Sequence, residues 1–500
     1  MSNLISQLNL LAPEIFVALM AMLILLLDLF VQDKNKHFIY GLSQLTLLVA
    51  GLLTASLGFS EPQFAFKDMF IFDSLAMFLK MTSYITLSVV FIYSRNYLLD
   101  KKLLNGEYFS LSLFALLGVM LMISSKNLLL MYMGLELLSL SLYALIALNR
   151  DDKKSNEAAI KYFVLGALAS GLLLYGMSML YGFSGSLDLY TIGNVIQTQE
   201  INSELLVFGL VFIVVGIAFK LGAVPFQMWV PDVYEGSITP VTMMISTVPK
   251  FAAVAMLIRF LFQGLDYLVV DWQQMLLIMA ILSMTIGNIT AIAQKKIKRM
   301  LAYSTISHIG FILLGFYVGT IGGVQASIFY LTTYIIMTLA VFGLIILLSN
   351  SQKSIEFIDD LKGLSQTNPW EAFLMMIVMF SLAGIPPTIG FYAKFSVLQV
   401  VINEEAVWPA LVAIIMALIG MYYYLRIIRI MYFEKSDKKI KKKTFLPMLS
   451  VLTINAGGLL VLGIFPKTLM SISALAVGGA CSVNLAATFY FYCRCKPPMV

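Results

Sequence analysis

Six ionisable side chains well inside apolar stretches of this sequence are the informative ones: Glu136, Lys161, Lys220, Lys250, His308 and Lys394. A charge near the centre of a bilayer costs about 2.5–3.5 kcal/mol on insertion scales, so such groups persist only if paired, hydrated or needed. Their types suit proton transfer. A free lysine holds its proton up to a pKa of about 10.4, and burial can lower that by about 3–5 units, into a range where protons exchange near neutrality. A nearby carboxylate restores the ammonium. A changing Glu–Lys contact therefore moves a proton without redox chemistry. Histidine titrates near neutrality unaided. The expected relay has Glu136 modulating Lys220, Lys250 carrying the proton on, and Lys394 exchanging it with the far side.

Each residue also has a plainer reading. Glu136, in Met131-Tyr-Met-Gly-Leu-Glu136-Leu-Leu-Ser139, could hydrogen-bond a neighbouring helix as a neutral acid. Lys220 could reach for the membrane surface, with Trp229 and Asp232 nearby. His308 could bond its serine neighbours in Ser304-Thr-Ile-Ser-His308. Lys161 is only about a turn into its helix. Helix breakers beside the lysines favour the functional reading. Pro225 closes Lys220-Leu-Gly222-Ala-Val-Pro225, Pro249 precedes Lys250, and Pro386 and Pro387 lie within Gly384-Ile-Pro-Pro-Thr-Ile-Gly390, just before Lys394. Proline removes a backbone donor and frees a carbonyl one turn earlier. In lipid, such a break must be shielded by protein or water.

The elements that position these residues are apolar helices. The 500 residues are 60% hydrophobic and only 12% charged, about half the charge of a soluble domain. At about 35 residues per span and loop, the length allows roughly fourteen spans. They fall at 10–31, 38–59, 71–93, 108–124, 127–148, 157–182, 203–224, 239–262, 273–293, 300–318, 324–348, 370–402, 406–433 and 445–477, and the seventh and twelfth carry breakers. Loops after spans one, three, five, nine and thirteen are basic: Lys34 and Lys36; Arg95, Lys101 and Lys102; Arg150, Lys153 and Lys154; Lys295 to Arg299; and Lys435 to the run Lys441–Lys443. Loops after even spans carry mainly acids, among them Asp188, Glu200, Asp271 and Glu404. The positive-inside rule puts the basic loops in the cytoplasm and the N-terminus outside. Topology thus accounts for the net charge of +6, and no nucleic-acid partner is expected.

The first basic residue, Lys34, follows the first apolar run, unlike a secretory signal. All three cysteines (Cys481, Cys493 and Cys495) lie in the last twenty residues, so no disulfide framework or metal site is expected. Nucleotide-binding and haem motifs are absent. A weak repeat relates Glu157-Ala-Ala-Ile-Lys-Tyr-Phe to Gln325-Ala-Ser-Ile-Phe-Tyr-Leu, and Gly222-Ala-Val-Pro225 to Gly384-Ile-Pro386-Pro387. The paired segments are five spans apart. An odd number inverts the second unit, a pattern typical of transporters with interrupted helices.

At these residues the chain resembles the antiporter-like subunits of the proton-pumping NADH–quinone oxidoreductase, respiratory complex I. The resemblance rests on Gly134-Leu-Glu136-Leu-Leu-Ser-Leu, Ala158-Ala-Ile-Lys161-Tyr-Phe-Val-Leu-Gly166, Lys220-Leu-Gly-Ala-Val-Pro225-Phe, Trp229-Val-Pro-Asp232-Val-Tyr-Glu235-Gly and Ser381-Leu-Ala-Gly-Ile-Pro386-Pro-Thr-Ile-Gly-Phe-Tyr-Ala-Lys394. It implies an all-α membrane protein of about 14 helices, with two inverted five-helix repeats and breaks in helices 7 and 12. The units would be helices 1–3 (1–107), the first repeat (108–262), the second repeat (263–434), a basic loop with helix 14 (435–477), and an atypical tail (478–500). It implies a proton path through Glu136, Lys220, Lys250 and Lys394, with His308 and Lys161 contributing. The chain itself would bind no cofactor. NADH, FMN, iron–sulfur clusters and quinone would belong to partner subunits of the membrane-embedded complex. One departure is Gln227, where relatives commonly carry His; glutamine can order water but cannot carry the charge. Two other readings are an Mrp-type cation/proton antiporter subunit, which shares the Glu and Lys framework, and a structural scaffold with vestigial charges.

Overall fold

Runs of leucine, isoleucine, valine and phenylalanine leave the backbone no partner but itself in lipid, and helices are the outcome. The computed structural model describes residues 2–32, 36–58, 62–199, 204–349, 355–435 and 446–481. Lys34, Glu200, the Lys441–Lys443 run, Cys493, Cys495 and the tail beyond 481 lie outside the described residues.

α1 (Ser2–Leu10) leads into α2 (Ala12–Asp28). α3 (Lys36–Ser56) connects through a hairpin, β1 (Gln63–Ala65) with β2 (Phe70–Phe72), to α4 (Ser74–Asp100). There follow α5 (Gly106–Ile123), α6 (Leu128–Ile146), α7 (Lys153–Ser184), α8 (Leu189–Gln199), α9 (Glu204–Leu221), α10 (Trp229–Gly236) and α11 (Thr239–Ile258), which runs on through a π-turn at Arg259–Gly264. The rest are α12 (Val269–Ala293), α13 (Ile297–Tyr317), α14 (Ile321–Leu348), α15 (Leu364–Thr367), α16 (Pro369–Ala383), α17 (Ile389–Asn403), α18 (Val407–Phe433), α19 (Leu446–Ile464) and α20 (Pro466–Cys481).

Twelve of the described helices are long and apolar enough to cross a membrane. α2 and the interrupted pair α16–α17 complete fourteen spans, but the expected fourteenth, 445–477, is divided at Phe465 into α19, which is long enough to span, and α20. α1, α8 and the hairpin are additions for which apolar run lengths give no signal. α11, α13 and α14 are almost wholly buried, whereas α18 and α19 expose apolar faces.

The charge alternation is realised in space. Backbone bridges join Phe70 to Ser125 and Asn127 to Asp188, gathering the loops after spans two, four and six at one end. At the other end, a cavity of about 260 Å³ is lined by Lys101, Asp152, Lys154, Glu235, Lys296, Lys298 and Glu356, from loops and helix ends after spans three, five, seven, nine and eleven.

One expectation is corrected. Pro249 does not break its helix: α11 continues from Thr239 to Ile258. Proline removes one donor there, and α11 continues past it, packed against α4, α5, α9 and α14. The real interruptions are the stretches between α9 and α10, at Pro225, and between α16 and α17, at Pro386 and Pro387.

Candidate functional site: two helix breaks capped by lysines

An α-helix ends with four carbonyls lacking intrahelical partners. At the first break all four are satisfied. Gly222, at φ +77°, donates its N–H to Ala218 O and Phe219 O, and Ala223 N–H also reaches Ala218 O. Trp229 Nε1 donates to Phe219 O at 2.9 Å. The last two carbonyls accept from Lys250 Nζ, Leu221 O at 2.6 Å and Lys220 O at 3.4 Å. The second break repeats this pattern 162 residues on. Gly384, at φ +81°, bonds Phe380 O and Ser381 O, and Ile385 N–H bonds Phe380 O. Leu382 O and Ala383 O accept from Lys394 Nζ at 3.2 and 2.8 Å. The ammonium sits at the negative end of a half-helix dipole, where a cation is favoured. The lysines come from different places: Lys250 from α11, beyond α10, and Lys394 from α17, the half-helix beyond its own break. The outward faces of both breaks are exposed prolines, Pro225, Pro386 and Pro387, which have no N–H to satisfy.

The positive φ makes Gly384 a point of leverage. A Cβ there would lie 2.9 Å from Lys394 Cδ and 3.2 Å from its Nζ. Gly384→Ala should cost about 1–2 kcal/mol in left-handed backbone strain and push the ammonium off its carbonyls. A lowered thermal transition of the purified protein would check this.

Lys220 is buried and donates to Ser139 Oγ at 2.6 Å. Ser139 lies one turn from Glu136 on α6, and the Glu136 carboxylate is within electrostatic reach of Lys220. Glu136 Oε1 is buried without a hydrogen-bond partner among the described residues. A cavity of about 10 Å³, lined by Ser139, Tyr162, Lys220, Trp229 and Pro249, lies between Lys220 and α11. That is room for about one water. Ser283 Oγ on α12 accepts from Val224 N–H at 2.9 Å, tying the first break to the second half of the chain.

His308 is buried between two hydroxyls: Nδ1 to Tyr330 OH at 2.8 Å and Nε2 to Tyr424 OH at 3.1 Å. Tyr424 also bonds Ser304, and Tyr334 OH donates to Thr305 Oγ1 at 2.9 Å. Lys394 is within electrostatic reach of His308 and lies 5.6 Å from the Phe311 ring centroid. The structure thus brings Glu136, Ser139, Lys220 and Lys250 together, and His308 with Lys394. Lys250 and His308 share no hydrogen-bond partner among the described residues. Gln227 is half-buried, its Oε1 unpaired among the described residues. Lys161 stands apart, 44% exposed, in ion pairs with Glu157 at 2.8 Å and Asp232 at 3.1 Å.

Asp232 belongs to a cluster at the basic end. It pairs with Lys161 and, at 2.9 Å, with Arg299, while Glu235 pairs with Arg299 and Lys296. These contacts clamp α10 to α7 and α13. Partial burial alone would raise both carboxyls. The bonds and charges of Lys161 and Arg299 at Asp232, and of Lys296 and Arg299 at Glu235, outweigh it and hold both below the ordinary carboxylate range. A depressed carboxyl stabilises above its unfolded pKa, about 3.9 for Asp and 4.3 for Glu. That stability is lost as pH falls through the lower folded value. Hydrogen exchange in 229–236 should therefore stay protected down to about pH 4 and open in stronger acid. The double change Asp232→Asn with Glu235→Gln should abolish that dependence.

Among the described residues, no group of three or more His, Cys, Asp and Glu could share a metal ion.

Residues 125–420 match the family described as NADH:quinone oxidoreductase/Mrp antiporter, transmembrane. The chain belongs to this family. A relative from Thioalkalivibrio sulfidiphilus, NADH-quinone oxidoreductase subunit N, is 52% identical over 466 residues, covering 93% of this chain and 97% of the relative. A chain of respiratory complex I from Thermus thermophilus superposes with a TM-score of 0.78 at 29% identity, covering 92% of this chain and 99% of that one. A chain of the Mrp complex from a Dietzia species superposes with the same TM-score of 0.78 at 18% identity, covering 95% and 98%; that likeness shows the fold alone. The antiporter-like family therefore supplies the frame for the two lysine-capped breaks.

Ser283, Tyr330 and Tyr424 join the site without having stood out in sequence. Serine and tyrosine are frequent in apolar helices, and here their partners lie 22 to 116 residues away in the chain.

Proposed function

We propose that the chain moves protons across the bacterial inner membrane as a membrane-arm subunit of NADH–quinone oxidoreductase, with its basic loops in the cytoplasm. NADH, FMN, iron–sulfur clusters and quinone belong to partner subunits, and the drive for transport comes from quinone reduction there. The observation that carries this reading is the pair of interrupted helices whose terminal carbonyls hold lysine ammonium groups.

When the Glu136 charge is withdrawn from Lys220, by protonation or movement, the ammonium loses its counter-charge and its proton becomes available. The one-water cavity between Ser139, Lys220 and Pro249 gives it a way toward Lys250. Lys250 is held by carbonyls rather than by a carboxylate, so it can release a proton without breaking an ion pair. The hydroxyls around His308 offer donors and acceptors on both ring nitrogens, and Lys394 exchanges with the far side. Lys161 acts on the relay indirectly, through Asp232 and α10. The matching carbonyl pattern of the two breaks supports two related units, 108–262 and 263–434, of opposite orientation.

The second reading is an Mrp-type antiporter subunit working without NADH. Purification followed by reconstitution into vesicles separates the two. The chain should travel with an NADH-oxidising assembly, and NADH should drive proton uptake that does not need sodium. Purification alone, with transport driven by a sodium gradient, would favour the second reading.

A further inference from the structure

Two more buried ion pairs lie at the end of the bundle opposite the basic loops, outside both proposed repeats except for one arginine. Glu14, near the start of α2, pairs with Lys80 of α4 at 2.5 Å, with side chains 3% and 0% exposed. The rings of Phe70 and Phe72, in the hairpin, lie 4.9 and 5.4 Å from Lys80 Nζ. Asp73, which caps α4, takes Arg259 in a two-pronged bond at 2.6 and 2.8 Å. Arg259 also bonds Ile123 O and Gln263 Oε1. Asp73 is within electrostatic reach of Lys80, so Lys80 stands between two carboxylates.

The two carboxylates are held differently. Both oxygens of Asp73 bond Arg259, and Oδ1 also accepts from Ala76 N–H at 2.8 Å. Arginine does not release its proton in proteins, so this pair is fixed. Glu14 has Lys80 on Oε1, while its buried Oε2 has no hydrogen-bond partner among the described residues. The Tyr84 hydroxyl, one turn beyond Lys80 and bonded to Thr54 Oγ1 at 3.1 Å, is also within electrostatic reach of Glu14. A contact that served stability alone would cover both oxygens, as at Asp73, because a bare buried polar atom costs free energy.

We propose that the Glu14–Lys80 pair is a proton-exchange site at the outer end of the bundle, from which protons leave this chain. The inference rests on the transport reading above. Lys80 is the seventh residue of α4, about 9 Å along the helix from its outer start at 1.5 Å per residue. At rest the pair is carboxylate and ammonium, with no net charge. The Nζ proton moves to Glu14 along the existing hydrogen bond, leaving both groups neutral. Glu14 then gives the proton to external water, and the pair carries −1. Lys80 takes a proton from the interior side and restores zero. The fixed charge of Asp73 and the two ring faces favour that return of the ammonium.

The test uses the assembled complex in vesicles, with protons translocated per NADH as the readout and Lys220→Ala for comparison. Glu14→Gln keeps the side chain's shape, and its amide oxygen can still accept from Lys80. It should lose as large a share of translocation as Lys220→Ala. The double variant Glu14→Gln with Lys80→Met, which removes both charges together, should lose it equally, and Glu14→Asp should recover part. Full translocation in either glutamine variant overturns the inference. If Glu14→Gln fails to accumulate while the double variant accumulates and pumps normally, the pair is a stabilising contact and the inference falls. If Glu14→Gln pumps fully while Lys220→Ala does not, the inference falls and the transport reading stands. If both pump fully, both fall.

Discussion

Lys220→Ala should reduce proton translocation through this chain on the order of 10²-fold, the lower end of what a positioned proton-transfer group contributes. Lys220 is the amine that joins Ser139, at 2.6 Å, to the electrostatic reach of Glu136, and it borders the one-water cavity leading to α11. Alanine leaves no group there to take up or release a proton. Lys220→Arg separates two causes. Arginine keeps the positive charge but does not give up its proton. If Lys220 only balances Glu136, the arginine variant should work; if it carries protons, arginine should be about as defective as alanine. Proton uptake into vesicles per NADH oxidised decides between them.

Arg259→Ala should act on a different property. Arg259 and Asp73 are fully buried and doubly bonded, and they tie the end of α11 to the start of α4. Removing one partner of a buried pair leaves an uncompensated charge and costs about 3–5 kcal/mol, a large part of a typical domain's stability of about 5–15 kcal/mol. The expected result is little folded protein in the membrane and a marked fall in the thermal transition of what remains. Arg259→Leu combined with Asp73→Leu removes both charges together and should recover much of the loss, because a buried pair is often replaceable by apolar groups. Membrane accumulation and thermal unfolding of the single and double variants provide the check.

The contrast between these two sites shows what the sequence makes legible. Spans follow from run length, the two breaks from Gly222 with Pro225 and Gly384 with Pro386, and Glu136, Lys220, Lys250 and Lys394 from charge inside apolar runs. Pro249 misleads, because a proline removes one donor but ends a helix only where the surroundings permit, and α11 is packed on all sides. The capping arrangement is also hidden. Position suggests that Lys220 serves the break beside it, yet Lys250, some thirty residues on, holds those carbonyls. Lys80 and Arg259 carried the same signal as Lys220, a cation within an apolar run. Their partners Glu14 and Asp73 sit near span ends, where a charge reads as interfacial. The pairing appears only when α2, α4 and α11 are brought together in space.

The most direct test of the central claim, that buried Glu and Lys groups at the helix breaks carry protons as one unit, is a double-variant cycle. Protons translocated per NADH are measured in vesicles containing the assembled complex with Glu136→Gln, with Lys220→Ala, and with both. Groups acting on one proton should be strongly non-additive. The double variant is therefore expected to be no worse than the more defective single variant, and both singles should be clearly impaired. Undiminished translocation with both groups removed would contradict the account.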